Sequence, residues 1–294
     1  MVAETVVGAL EYLNATGSAI PIQVTVAQAG GQYGINTIIS LISIAFILIF
    51  VFMRFKGRIY GYASSYLLKK IKGMTGRHIL LIKHTEMGMF GGSMIDIQTL
   101  EKVIKALTKF KGKAFDLIIH SPGGSVFASM YISRLLKEYP GKIRGVIPIF
   151  AMSGGTLLAL SCDEIYMTPS SCLGPVDPQL GSFFSVGSAR NWNKIWKYKK
   201  SKSKDETINF AMMGKQYEKS IKDHINLLLE DKVTNKKERK AFVKLLTSGE
   251  VEHAKMLTPK TLSNWLPIGK IRQKIVKLLI KIITNEGLEG VHYE

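Results

Sequence analysis

Two apolar runs, each ending in glycines and leading into a helix-like segment, constrain this chain more than any other feature. The first is Phe115-Asp-Leu-Ile-Ile-His-Ser-Pro-Gly-Gly-Ser125 and the second is Ile149-Phe-Ala-Met-Ser-Gly-Gly-Thr156. A short apolar run bounded by turn residues reads as a buried strand. Gly123 and Gly124 then offer backbone N–H groups with no side chain to obstruct a substrate. Ser153 stands between a hydrophobic strand and a helix start, followed by glycines that permit close approach. A nucleophile beside a glycine-built oxyanion site is the minimum equipment for acyl transfer.

Around these runs the chain alternates. His78–Lys83, Phe115–Ile119, Lys142–Phe150 and Glu164–Met167 have the length and composition of strands. Leu100, Val103, Ile104 and Leu107 recur at helical spacing, and Val126–Lys137 and Thr156–Ser161 follow as helices. Strands and helices alternating at this interval predict an α/β domain with parallel pairing. In such sheets the functional loops lie at the carboxyl ends of the strands, where both glycine motifs fall. Beyond Pro178 the texture changes: Gly181–Lys204 is rich in Ser, Gly and aromatics and then in lysines, before a long amphipathic helix predicted from about Asp205 to Glu230.

The N-terminal part reads differently. Ile35 to Met53 carries no ionisable side chain and as a helix would span about 28 Å, close to the hydrocarbon thickness of a bilayer. Residues 1–53 contain no Lys or Arg; all 40 follow, beginning with Arg54, Lys56 and Arg58. The positive-inside rule therefore predicts residues 1–34 outside and everything after Arg54 in the cytoplasm. The run starts too late and lacks the basic leader of a cleaved signal, so a permanent anchor is expected. The net charge of +18 suits a chain facing an anionic inner leaflet. No nucleic-acid recognition motif accompanies the charge, and nucleic acid is not expected as a partner. Cys162 and Cys172 fall on the predicted cytoplasmic side and read as reduced thiols.

Ser121-Pro-Gly-Gly124, Ala151-Met-Ser-Gly-Gly155 and Gly174-Pro-Val-Asp-Pro178, in this order, resemble the Clp/crotonase superfamily of serine peptidases. Within it the match is to the serine dehydrogenase proteinase family, in the branch related to signal peptide peptidase A. The resemblance covers His78 to Pro267 and is strongest from Asp116 to Leu180. It implies an α/β fold, a Clp/crotonase-like spiral of β-β-α units, here preceded by one N-terminal transmembrane helix. The expected organisation is a short extracytoplasmic segment (1–34), the transmembrane helix (35–53), a basic juxtamembrane linker (54–76), the peptidase domain (77–267) and a basic amphipathic C-terminal helix and tail (268–294).

Carried onto this sequence, the resemblance makes Ser153 the nucleophile, puts Gly123 and Gly124 on the oxyanion loop and adds the Gly154 amide. Relatives in this branch use a Ser–Lys dyad whose lysine precedes a long helix. That interval holds Lys194, Lys197, Lys199, Lys200, Lys202 and Lys204; Lys202 is the first choice for the base and Lys204 the second. A lysine acts as base only when neutral, so burial or neighbouring positive charge must lower its pKa. Most of the cluster must instead be solvated surface charge. The resemblance also implies a homo-oligomer acting on a peptide or protein substrate, with no cofactor.

Other candidates are weighed against simpler roles. His120 precedes the glycine loop and fits loop shaping or substrate contact. His253 resembles a recurrent family position. Neither stands with cysteines or carboxylates at a zinc-ligand spacing, so no metal is expected. No Gly-rich loop with Lys-Ser/Thr suggests ATP. Asp177, bracketed by Pro175 and Pro178, reads as part of a rigid turn, and Ser121 and Ser125 as turn or cap residues. The C-terminal face of Ile271, Ile275, Leu278, Leu279 and Ile282 fits a membrane surface, the domain itself or a neighbouring subunit. The expected function is a membrane-anchored cytoplasmic serine endopeptidase; the alternative is a catalytically silent scaffold or an acyl-CoA-type enzyme of the same fold.

Overall fold

The computed structural model describes residues 35–84, 93–182, 185–247, 256–284 and 290–294, with side chains between 35 and 64 described at 37 and 39–51. The expected outer segment 1–34 and His253 lie outside the described residues. The chain divides into two units, Met1–Arg58 and Ile59–Glu294.

Helix α1 (Ile35–Thr75) contains the apolar run and also the basic stretch expected as a linker. Leu41, Phe46, Leu48 and Phe50 on it are exposed. The described stretch 39–51 covers about 20 Å of helix, and among the described residues no helix is long and apolar enough to cross a membrane. The helix stops at Gly76, whose φ of 67° suits a left-handed terminus and whose N–H returns to the Lys72 carbonyl at 2.8 Å.

Next come β1 (His78–Lys83), α2 (Ile97–Phe110), β2 (Phe115–His120), α3 (Val126–Lys137), β3 (Ile143–Ile147), β4 (Phe150–Ala151), α4 (Gly154–Ser161), β5 (Glu164–Met167) and β6 (Cys172–Leu173). A hairpin of β7 (Gln179–Ser182) and β8 (Ser185–Ser188) leads into α5 (Ala189–Lys199), a 3-10 turn (Lys200–Lys202) and α6 (Asp205–Leu229). The chain closes with α7 (Lys236–Thr247), α8 (Pro259–Leu262), β9 (Ile268–Lys270), α9 (Gln273–Ile283) and β10 (Gly290–Tyr293).

The main sheet runs β10-β1-β2-β3-β5-β9, parallel except for β10. Parallel strands are covered on both faces, which is why β1 and β2 are apolar almost throughout. Leu80, Ile82, Leu117 and Ile119 point into the larger core with α2, α3 and α4. Ile79, Leu81 and Ile118 point to the other face, against Leu68 and Ile71 of α1 and Ile275, Leu279 and Ile282 of α9. Each such side chain contributes about 1.5–3 kcal/mol by leaving water. Asp116 is buried in a cationic clamp, accepting from Arg77 Nε at 2.7 Å and from Arg144 Nε and Nη2 at 2.7 Å each.

Several expectations change. The single strand Lys142–Phe150 is two strands, because Pro148 has no N–H for a ladder and its carbonyl accepts from the Thr168 hydroxyl at 2.9 Å. The Ser- and Lys-rich stretch after Pro178 is a hairpin and a helix. The basic C-terminal helix packs on the sheet with Ile275, Leu279 and Ile282 buried and Lys274, Lys277 and Lys281 exposed. Its apolar face is covered within the chain and gives no reason to expect an assembly. Strands β9 and β10 make this C-terminal segment part of the same sheet as the peptidase-like region. Cys162 and Cys172 are free and buried; burial pushes the Cys162 thiol up to about 12.

Candidate active site

A second, smaller layer gathers the glycine motifs. Strands β4 and β6 pair in parallel, Ser121 bridges to Ala151, and Ile95 bridges to Gly124. The Ser121 amide donates to the Phe150 carbonyl at 3.3 Å and the Met152 amide to the Ser121 carbonyl at 2.9 Å. The Thr156 hydroxyl lies 2.9 Å from the Ala151 carbonyl and 2.8 Å from the Gly174 carbonyl, fastening the Gly-Pro-Val-Asp-Pro segment to the same turn. All three motifs read in the sequence therefore meet at one place.

Ser153 is the junction between β4 and α4. Its φ of 48° and ψ of −115° are a strained backbone for a residue with a side chain, and it makes no capping hydrogen bond with its hydroxyl. Serine at this position commonly spends its oxygen as a helix cap; here Ser125 does so for α3, accepting from the Ala128 amide at 3.4 Å. Ser153 lines a cavity of about 200 Å³ together with Gly124, Gly154, Ser129, Asp177 and Ile221. The Gly154 amide opens helix α4, where the first N–H groups have no partner within the helix.

The two loop glycines differ in what their amides do. The Gly123 N–H donates to Ser121 Oγ at 3.1 Å, and Gly123 is not among the residues lining the cavity. The Gly123 carbonyl accepts from the Ile95 amide at 2.9 Å. In a trans peptide the following N–H points opposite to that carbonyl, so the Gly124 N–H is directed away from Ile95. Both residues need to be glycine. At Gly124 (φ 154°) a Cβ would stand 2.2 Å from the Ile95 carbonyl oxygen, and at Gly123 (φ 114°) it would stand 2.8 Å from the Ser153 Cβ.

Behind the loop runs a buried polar chain that no sequence pattern signalled. Ser121 Oγ lies 3.2 Å from His84 Nδ1, His84 Nε2 lies 3.3 Å from Thr99 Oγ1, and Thr99 Oγ1 donates to Asp96 Oδ1 at 2.8 Å. Burial raises the Asp96 pKa, but hydrogen bonds from the Thr99 amide and hydroxyl, with His84 nearby, outweigh it and hold the group below the usual carboxylate range. His120 is buried against Phe150, with ring centroids 4.2 Å apart and Nδ1 without a partner among the described residues. Burial, then the neighbouring Lys83 and His84, push its pKa down to about 4. The Ser129 hydroxyl is likewise buried and unpartnered among the described residues, and it fills the space where a Cβ on Gly154 would stand.

Lys202 and Lys204 are exposed and line no part of the Ser153 cavity. Lys204 precedes α6, whose Ile221 touches the cavity, and the intervening helix is about 25 Å long. Asp177, read as a turn residue, lines the cavity and accepts from Gln179 Nε2 at 2.7 Å. Among the described residues no cluster of His, Cys, Asp and Glu could hold a metal.

A strained serine turn and a glycine loop pinned beside it, both delivered by an α/β sheet, make up the site. The chain belongs to the ClpP-like SDH-type serine proteinase family, whose sequence signature matches residues 32–274, and with it to a class of serine peptidases of Clp/crotonase-like α/β fold. Two uncharacterized proteins of Methanocaldococcus jannaschii are similar. One is 33% identical over 193 residues, 64% of this chain and 66% of its own length; the other is 34% identical over 197 residues, 65% and 66%. The chain thus spans just under two thirds of the length of these relatives. Among solved structures, the 1510-N membrane-bound stomatin-specific protease is 19% identical over 66% of this chain and 86% of its own, with a TM-score of 0.42. ClpP1 of Listeria monocytogenes is 14% identical over 67% and 94%, also with a TM-score of 0.42.

Proposed function

We propose that this chain is a membrane-anchored serine endopeptidase in which Ser153 attacks the scissile carbonyl and the Gly124 and Gly154 amides stabilise the oxyanion. The observation that carries this reading is the Ser153 turn: a strained residue whose hydroxyl caps nothing and which shares a cavity with both glycines. Attack forms the Oγ–carbon bond as the hydroxyl proton passes to a base, and collapse expels the amine to leave an acyl-enzyme that water hydrolyses. The base is a lysine of the Lys202–Lys204 segment. Because neither lysine lines the cavity, the dyad closes through a neighbouring copy in a homo-oligomer or through movement of α5 and α6.

The apolar run of α1 supplies the anchor. Exposed Leu41, Phe46, Leu48 and Phe50 on α1 have no reason to face water, and every Lys and Arg follows Met53. With the catalytic region on the cytoplasmic side, the substrates are membrane-associated or unfolded peptides. The exposure of both lysines outside the cavity lining favours one other reading, a catalytically silent scaffold. Peptide hydrolysis by the wild type and by Ser153→Ala decides between them. Loss of turnover in a folded Ser153→Ala protein supports the peptidase; a wild type that cleaves no peptide supports the scaffold.

A further inference from the structure

We propose that His84 is a positioning residue for the oxyanion loop: by accepting the Ser121 hydroxyl proton at Nδ1, it keeps Ser121 Oγ as the acceptor for the Gly123 amide. The proposal rests on the peptidase reading of Ser153.

The direction of each bond follows from counting protons. Thr99 has one hydroxyl proton, and its carboxylate partner is Asp96 Oδ1 at 2.8 Å. Thr99 Oγ1 must then accept from His84 Nε2 at 3.3 Å. In the neutral imidazole, the form present above the His84 titration, that places the one ring proton on Nε2 and leaves Nδ1 as an acceptor. Nδ1 faces Ser121 Oγ at 3.2 Å, so the serine donates to it and accepts the Gly123 N–H at 3.1 Å. The whole chain runs one way, from the Gly123 amide to Ser121, to His84, and separately from His84 through Thr99 to Asp96.

Ser121 has a second outlet for its proton. The Gly123 carbonyl lies 3.4 Å from Ser121 Oγ, the same carbonyl that accepts from the Ile95 amide at 2.9 Å. Without an acceptor at Nδ1 the serine hydroxyl turns to that carbonyl and competes with Ile95 for it. The Gly123–Gly124 peptide then tilts, and with it the Gly124 N–H that faces the developing charge. The segment that supplies Ile95, Asp96 and Thr99 therefore holds the loop twice, once through backbone and once through His84.

The test is steady-state hydrolysis of a peptide by the full chain and four variants. Ser121→Ala and His84→Gln should each lower kcat about tenfold or more while KM stays within about threefold. His84→Asn keeps an acceptor near the Nδ1 position and should retain kcat to within about threefold, whereas Gln reaches only toward Thr99. The Ser121→Ala/His84→Gln double variant should be no slower than the worse single variant. Unchanged kcat in Ser121→Ala overturns the proposal, and that small variant decides the matter if His84 variants do not fold. Rescue by Gln and not by Asn also overturns it, since His84 would then act only through Thr99. A wild type that neither hydrolyses peptide nor takes a fluorophosphonate on Ser153 overturns the peptidase reading and this proposal with it. An active wild type with normal Ser121→Ala overturns this proposal alone.

Discussion

Replacing Gly124 by alanine should damage stability and turnover together. The new Cβ would stand 2.2 Å from the Ile95 carbonyl oxygen and 2.5 Å from the Ile95 nitrogen, contacts that backbone cannot sustain. Relief requires Ile95 to move, which breaks its hydrogen bonds to the Gly123 carbonyl at 2.9 Å and from the Ser125 amide at 2.8 Å. Two such bonds are worth about 1 kcal/mol each, and a side chain at a φ of 154° adds about 1–3 kcal/mol of strain. The sum is about 3–5 kcal/mol, or a fall in Tm of roughly 6–20 °C for a unit of this size. Displacing the Gly124 amide should also cost about a hundredfold in kcat. Thermal denaturation by circular dichroism and peptide hydrolysis measure the two effects. Gly73→Ala is the control: nothing lies within 4 Å of its Cβ position, and α1 should gain from alanine. A Gly124→Ala protein with wild-type Tm and kcat would refute the account of the loop.

Acid should weaken the fold through His120, whose pKa falls from 6.5 to about 4 on folding. Between those values the unfolded chain binds a proton that the folded chain refuses, so stability present above pH 6.5 is lost as pH falls toward 4, by at most about 3 kcal/mol; His120→Phe should flatten the urea midpoint over that window. Lys202→Ala or Lys204→Ala should abolish hydrolysis without lowering Tm, while Lys197→Ala should change it little; full activity in both of the first two would remove the base from this segment. Lys102→Cys, at an exposed position of helix α2, should resist an impermeant maleimide in intact cells, the native Cys162 and Cys172 being buried; rapid labelling would reverse the proposed topology.

Much of the site was legible because its chemistry is local in sequence. Two glycines follow Ser153 and two close the loop after β2, and the alternation of apolar runs and helical spacing marks β1, β2, α3 and α4. What escaped was non-local or unpatterned. Strands β9 and β10 are short and only partly apolar, and they become strands by adding to a sheet edge already formed. The break at Pro148 was written in the sequence, since proline cannot donate to a ladder, but the apolar residues on either side masked it. His84, Asp96 and Thr99 carry no recognisable spacing to Ser121: the β1–β2 register brings His84 beside it, and the bridge of Ile95 to Gly124 brings Asp96 and Thr99. The lysines failed to sort themselves for the opposite reason: six similar residues crowd one segment, and nothing local distinguishes a base from a surface charge.

In the proposed mechanism the Ser153 hydroxyl is an activated nucleophile. Treating the folded, membrane-extracted chain with a fluorophosphonate and mapping the adduct by peptide mass spectrometry tests it most directly. One phosphonyl group is expected on Ser153, absent in Ser153→Ala and added much more slowly in Gly124→Ala, whose oxyanion donor is displaced. A wild-type protein that stays unmodified, or one labelled equally well after Ser153→Ala, would contradict it.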